Sequence, residues 1–298
     1  MSEKRTVEDI IKEHETSGKY FNVNGLRAFG LDKGNGETVL CLHGVPTSSF
    51  LYRKIVPALA QKGFRGVALD FPGLGFSDRP KDFDYSFSSL ARFCEAAANS
   101  LGLDKFHLLI HDIGGPVGFA LAAKNRDKIL SITILNTWID VVNFKKPWPM
   151  RPFEKPVLGE IELATLIYPT WQLMFNKMGV NDSSGIPKNE IKAYIDILKR
   201  DDGGDAYLKM MKSFNDSEEF RSLCYKAVQR VPYPVQAIWG EDDPFLTLDH
   251  YGQEIKDAAG LPKIHQLSSR HFLQEEKPEE IVEKMVEIIG RSKEMLPR

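Results

Sequence analysis

Six short, nearly continuous apolar runs constrain this chain more than any other feature: TVLCLHG (38–44), GVALDFPG (66–73), FHLLIHDIGG (106–115), LSITILNT (130–137), VQAIWGEDD (235–243) and KIHQLSS (263–269). A strand that is apolar on both faces must be covered on both faces. Where amphipathic segments alternate with such runs, the result is a parallel sheet with crossover helices on either side. SFSSLARFCEAAANSL (86–101) has helical spacing, and PEEIVEKMVEIIGRSK (278–293) reads as a terminal amphipathic helix with proline in its first turn. Ahead of these lie KYFNV (19–23) and LRAFGL (26–31), joined by Asn24-Gly25, a pair suited to the positive φ values of a type I′ hairpin. The expected class is α/β, a mostly parallel central sheet flanked by helices.

The rhythm breaks between 139 and 230. Prolines stand at 147, 149, 152, 156, 169 and 187, the patterns are helical and no strand is evident. Four of the six runs precede this stretch and two follow it. At about 90 residues it far exceeds an ordinary connection. The division expected is a core domain from 1–138 and 231–298, with a helical cap inserted at 139–230. The 39 Lys+Arg and 41 Asp+Glu nearly balance, which argues against a nucleic-acid binder. Hydrophobic residues at 42% exclude a disordered chain. Three widely spaced cysteines suit neither a disulfide framework nor a zinc site and suggest a reducing compartment. No run reaches the ~18 apolar residues of a spanning helix, and the charged first twenty residues are unlike a secretory signal. The expectation is a cytoplasmic protein with no membrane partner; oligomeric state is not legible.

The segment Ile110-His111-Asp112-Ile113-Gly114-Gly115-Pro116-Val117-Gly118 ends an apolar strand, turns sharply and opens a helix. This is the context of a nucleophile elbow, with Asp112 where serine is usual and Ile110 where glycine is common. The alternative is that Asp112 only caps the helix. Trp239-Gly240-Glu241-Asp242-Asp243-Pro244 offers a carboxylate at a later strand end, and Ser268-Ser269-Arg270-His271 places a histidine after the last strand. Nucleophile, acid and histidine in that order, at three strand ends, match a catalytic triad. His43-Gly44-Val45-Pro46-Thr47 follows TVLCL, where the backbone N–H of Val45, with that of Ile113, can form an oxyanion hole.

HGVPTSSFLYRKIVPAL (43–59), DFPGLGFSDRP (70–80), HDIGGPVGFALA (111–122) and HFLQEEKPEEI (271–281) resemble the haloalkane dehalogenase and epoxide hydrolase branch of the α/β-hydrolase superfamily. The resemblance covers most of the sheet domain and is weak in the cap. It implies an α/β-hydrolase fold with Asp112 as nucleophile, His271 as base and Asp243 as acid. In some relatives the acid instead follows the strand before the cap; here that position reads Leu135-Asn136-Thr137.

An aspartate nucleophile restricts the chemistry. Attack on an acyl carbon would give an anhydride, whereas attack on an sp³ carbon gives a stable but hydrolysable alkyl ester. The expected substrate is a small hydrophobic organic molecule, with water as co-substrate and no metal or organic cofactor. Dehalogenases hold the departing halide with N–H donors, typically a Trp after the nucleophile, but Ile113 and Val45 occupy the usual positions. Trp171 resembles a cap tryptophan that serves this purpose in one subgroup. Epoxide hydrolases use cap tyrosines, for which Tyr168, Tyr194 and Tyr207 are available, and His111 with the His-Gly-x-Pro motif leans that way. Trp171, Tyr168 and His111 are therefore the leaving-group candidates. The most similar activity is haloalkane dehalogenase, with epoxide hydrolase as alternative and a binding protein or cofactor-free oxygenase as a third reading. His107 and His265 read as structural, Cys41 and Cys94 as core thiols, and Lys145-Lys146 as a solvated cap entrance.

Overall fold

The computed structural model describes residues 5–295. Eight strands form one sheet: β1 (Gly18–Val23), β2 (Leu26–Lys33), β3 (Thr38–Leu42), β4 (Arg65–Leu69), β5 (Phe106–Ile110), β6 (Ile129–Leu135), β7 (Val235–Gly240) and β8 (His265–Leu267). Their order is β1-β2-β4-β3-β5-β6-β7-β8. Both pairings of β2, with β1 and with β4, are antiparallel, and β4 onward is parallel. The hairpin closes on Val23 opposite Leu26, with Asn24 at φ 50° and Gly25 at φ 91°. Both turn residues are left-handed, as a type I′ turn requires.

Every residue of β3 and of β5 is buried. Side chains alternate across a strand, so one run feeds two cores. Leu40, Leu42, Leu108, Ile110, Ile132 and Ile134 face one side, against the helices at Phe87–Ser100 and Gly114–Lys124; Val39, Cys41, Leu109, Leu135 and Ile238 face the other. Burying each such side chain stabilises the fold by roughly 1.5–3 kcal/mol.

Helix α1 (Val7–Ser17) precedes the sheet and was not marked in the sequence. Its signal is Thr6-x-x-Asp9: the Thr6 hydroxyl accepts from the Asp9 N–H at 3.1 Å while the Asp9 carboxylate accepts from the Thr6 N–H at 2.9 Å. This reciprocal cap ordinarily uses Glu or Gln at its fourth position, which makes Asp9 easy to overlook. Helices α2 (Ile55–Gln61), α3 (Phe87–Ser100) and α4 (Gly114–Lys124) alternate with β3–β6. Between β6 and β7 come α5 (Leu158–Thr165), α6 (Tyr168–Met174), α7 (Lys188–Leu198), α8 (Asp205–Lys212) and α9 (Glu218–Lys226), with no strand. Helix α6 runs into a π-helical turn at Phe175–Gly179. Helix α7 packs on α6 and α1, α8 on α5, and α9 returns to pack on α4 of the core. Helices α10 (Gln253–Ala259), α11 (Leu273–Glu276) and α12 (Pro278–Met295) complete the chain, and α12 lies on α2. No described helix is long and apolar enough to cross a membrane. Cys41, Cys94 and Cys224 are buried free thiols, and the His107 ring bonds the Ser131 hydroxyl at 2.8 Å.

Candidate active site

The turn from β5 into α4 puts Asp112 at φ 52°, a left-handed conformation that costs a non-glycine residue of order 1–3 kcal/mol. Surrounding hydrogen bonds hold it there. The Asp112 N–H donates to the Asn136 carbonyl at 3.0 Å, and its own carbonyl accepts from the Thr137 hydroxyl at 2.6 Å and the Gly115 N–H at 2.9 Å. Gly44 has no side chain because a Cβ would collide with that of Asp112, and a Cβ on Gly114 would strike the Leu42 carbonyl. No side-chain bond caps α4, whose N-cap residue is Ile113. One oxygen of the Asp112 carboxylate, Oδ1, accepts from the Val45 N–H at 2.8 Å. The other oxygen, Oδ2, lies 3.6 Å from Nε2 of His271.

The opposite ring nitrogen, Nδ1, is 2.8 Å from Oδ2 of Asp243. Asn136 donates to that same oxygen at 2.8 Å, while Oδ1 of Asp243 accepts from the N–H groups of Phe245 at 2.9 Å and Leu246 at 3.0 Å. Asp242 instead accepts from Asn181 at 2.6 Å in an exposed contact. The His271 loop is pinned from two sides. Its N–H donates to the Met178 carbonyl at 3.4 Å and that of Phe272 to Gly179 at 2.7 Å, both in the π-helical turn. On the other side Glu275 accepts from the Arg53 guanidinium at 2.5 and 2.9 Å.

Burial raises the pKa of Asp112, but His271, His111 and the Ile113 N–H outweigh it and hold the carboxyl below the ordinary value. Asp243 behaves alike: burial is outweighed by His271, the Phe245 N–H and Asn136. For His271 burial acts downward, yet Asp243 and Asp112 together raise it to about 10. The resting state at neutral pH is therefore carboxylate, imidazolium, carboxylate.

Above them lies a cavity of about 80 Å³, walled by Pro149, Met150, Met174, Met211, Phe214 and Phe245 among others. That is room for about six waters or a small organic molecule. Among the described residues, Asp112, His271 and Lys146 are the only titratable groups that line it. Lys146 is not solvated as expected: its side chain is 11% exposed, pairs with Glu154 at 2.6 Å and sits 4.0 Å from the Phe214 ring centroid.

The leaving-group candidates fare differently. Trp171 lines the cavity, but its indole N–H donates to the Ile191 carbonyl at 3.0 Å. That bond occupies the only donor indole has. Tyr168 is half-buried, packs against the hydrophobic core and does not line the cavity. His111 also lies outside the lining; its Nε2 bonds the His271 carbonyl at 2.9 Å. Tyr194 donates to Glu275.

Trp138 lies on the cavity wall, whereas Tyr207, like Tyr168 and His111, does not line it. Trp138, passed over in the sequence, lines the cavity beside Thr137, stacks on Phe144 at 3.8 Å, and has a buried N–H with no partner among the described residues. Its signal was a tryptophan just past the end of β6, at the sheet's C-terminal edge. Among the described residues the Tyr207 hydroxyl meets only the weak acceptor Sδ of Met150 at 3.7 Å. Its pKa is raised by burial and then by the Asp112 and Glu162 carboxylates. Among the described residues no group of three or more His, Cys, Asp or Glu is arranged to hold a metal ion.

Residues 37–278 match a family model described as alpha/beta hydrolase fold. Over 120 residues the chain is 38% identical to haloalkane dehalogenase 2 of Mycobacterium tuberculosis (strain ATCC 25618 / H37Rv), a match spanning 40% of this chain and only 42% of that protein. The haloalkane dehalogenase DbeA from Bradyrhizobium elkani USDA94 superposes with a TM-score of 0.75 at 22% identity, covering 94% of this chain and 99% of that one. The epoxide hydrolase CorEH gives 0.74 at 22%, covering 92% and 98%. At such identities the two structures share the fold.

Proposed function

Because this chain belongs to the α/β-hydrolase family, we propose that it hydrolyses a bond at an sp³ carbon through a covalent alkyl ester on Asp112. The observation that carries this reading is the line Asp112–His271–Asp243 at the base of an apolar cavity, with contacts of 3.6 and 2.8 Å. Oδ1 of Asp112 is fixed by the Val45 N–H, so Oδ2 is the oxygen free to attack carbon. The C–O bond forms as the carbon's bond to the leaving group breaks, and the leaving group departs with the electron pair.

Formation of the ester removes the Asp112 charge that helped hold the His271 proton. With only Asp243 left beside it, the imidazolium passes its proton to bulk water and becomes the base for the second step. His271 then takes a proton from water, hydroxide adds to the ester carbonyl, and the oxyanion sits on the Val45 and Ile113 N–H groups. Collapse returns that proton to the departing alkoxide and leaves Asp112 as a carboxylic acid, whose proton passes to His271 and restores the carboxylate–imidazolium pair. Helices of the 139–230 insert act as the cap that excludes bulk water, since Met150, Met174 and Met211 wall the cavity opposite Asp112.

Two leaving groups are compatible with this step. A halide is favoured by the similarity to dehalogenases and by the unpartnered N–H of Trp138 on the cavity wall. A ring oxygen of an epoxide would take its proton from the Tyr207 hydroxyl, which among the described residues is held only by a thioether but does not line the cavity. Turnover in H₂¹⁸O tests the shared step: the Asp112 peptide gains ¹⁸O, and Asp112→Asn abolishes turnover. Turnover that leaves Asp112 unlabelled would overturn the ester. A panel of brominated alkanes and styrene-type epoxides then separates the leaving groups, and failure on the whole panel would favour a binding role.

A further inference from the structure

The large exposed hydrophobic side chains are not scattered. Among the described residues, apart from Tyr20 at 36%, all of them fall within 148–173: Trp148 at 72%, Val157 at 68%, Leu158 and Ile161 at 54%, Ile167 at 51% and Leu173 at 60%. Isolated surface leucines need no explanation, but six in one segment do. Over residues 145–173 Lys145, Lys146, Arg151 and Lys155 stand against Glu154, Glu160 and Glu162. Glu154 is taken by Lys146 and Glu160 by Lys212, which leaves Lys145, Arg151 and Lys155, exposed and without a carboxylate partner among the described residues, against Glu162. Trp148 stands between Pro147 and Pro149, both of which line the active-site cavity.

We propose that this outer face of the cap docks on an anionic lipid surface, bringing the cavity mouth to the bilayer interface. Exposed Trp and aliphatic side chains flanked by Lys and Arg match the headgroup boundary, where aromatic rings are buried and cations meet acidic lipids. The charge argues against a second copy, since a two-fold contact would set the same cations against each other. The absence of a spanning segment, which led the sequence reading to expect no membrane partner, does not bear on a face that lies on the bilayer. An apolar substrate dissolved in lipid would then reach the cavity without crossing water.

The test uses the full chain and large unilamellar vesicles of phosphatidylcholine, with or without phosphatidylserine. Flotation with the serine-containing vesicles is expected, falling with salt, and little with phosphatidylcholine alone. Trp138, Trp171 and Trp239 are buried, so a blue shift and quenching by brominated acyl chains report Trp148. Replacing Lys145, Arg151 and Lys155 together by Ser should weaken binding on the order of 100-fold. The triple variant Trp148→Ser, Leu158→Ser, Ile161→Ser should abolish it with the thermal unfolding profile unchanged. No flotation by the parent chain, or flotation that survives both variants, overturns the proposal. So does a dimer in sedimentation that only the apolar variant dissociates, which would assign the face to a second copy. None of these readouts depends on turnover, so they stand or fall apart from the chemistry at Asp112.

Discussion

Asp112→Asn keeps the shape of the nucleophile and removes its charge, and its sharpest consequence lies on His271. The two groups are 3.6 Å apart, and at an effective dielectric constant of about 20 their attraction is about 4.6 kcal/mol, equivalent to about three pH units. The His271 titration should therefore fall from about 10 to about 7 in the variant. NMR of isotope-labelled histidine from pH 5 to 11 reads this directly. Burial presses His14 and His111 to about 3 and His43 and His107 to about 4, so their signals stay flat across the range. The variant carries the same charge as the alkyl ester, and a base near 7 is what the second step needs. If the His271 midpoint instead moves by less than about one unit, Asp243 alone retains the proton, and ester formation cannot release the base.

Asp243→Asn should reduce kcat on the order of 10⁴-fold by presenting the wrong hydrogen-bonding partner to Nδ1, measured at substrate saturation. Asn136→Ala removes a donor from Asp243 and an acceptor from the Gly240 N–H, and should cost about 2–4 kcal/mol in urea unfolding, with a smaller loss of kcat. Trp138→Phe should slow halide release and leave epoxide opening intact, while Tyr207→Phe does the reverse; equal effects on both substrates would dismiss both residues as donors. Trp171→Phe should cost about 1 kcal/mol of stability and leave turnover little changed, because its N–H serves a carbonyl in α7. The raised His271 pKa stabilises the fold fully below its unfolded value near 6.5, and that contribution is lost as pH climbs toward about 10. Thermal scans between these limits should decline in the parent and decline less in Asp112→Asn.

Strand positions were legible because period and composition are local properties. Runs such as TVLCL and FHLLI admit burial on both faces and little else, and Asn24-Gly25 admits a tight hairpin. The order of Asp112, the 241–243 acids and His271 at successive strand ends was legible for the same reason, since a parallel sheet gathers strand ends along one edge. Helix α1 was missed because its cap uses a less common residue, Asp9.

Which side chains face one another was not written in the chain. Asp242 and Asp243 differ by one position, and only the fold turns one to His271 and the other to Asn181. Trp171 and Trp138 look equally able to donate, yet a carbonyl twenty residues away spends one N–H and leaves the other free. Local pattern fixes where backbone must be buried. Hydrogen-bond allegiance depends on atoms brought within about 3 Å by the whole chain, so it exists only after folding.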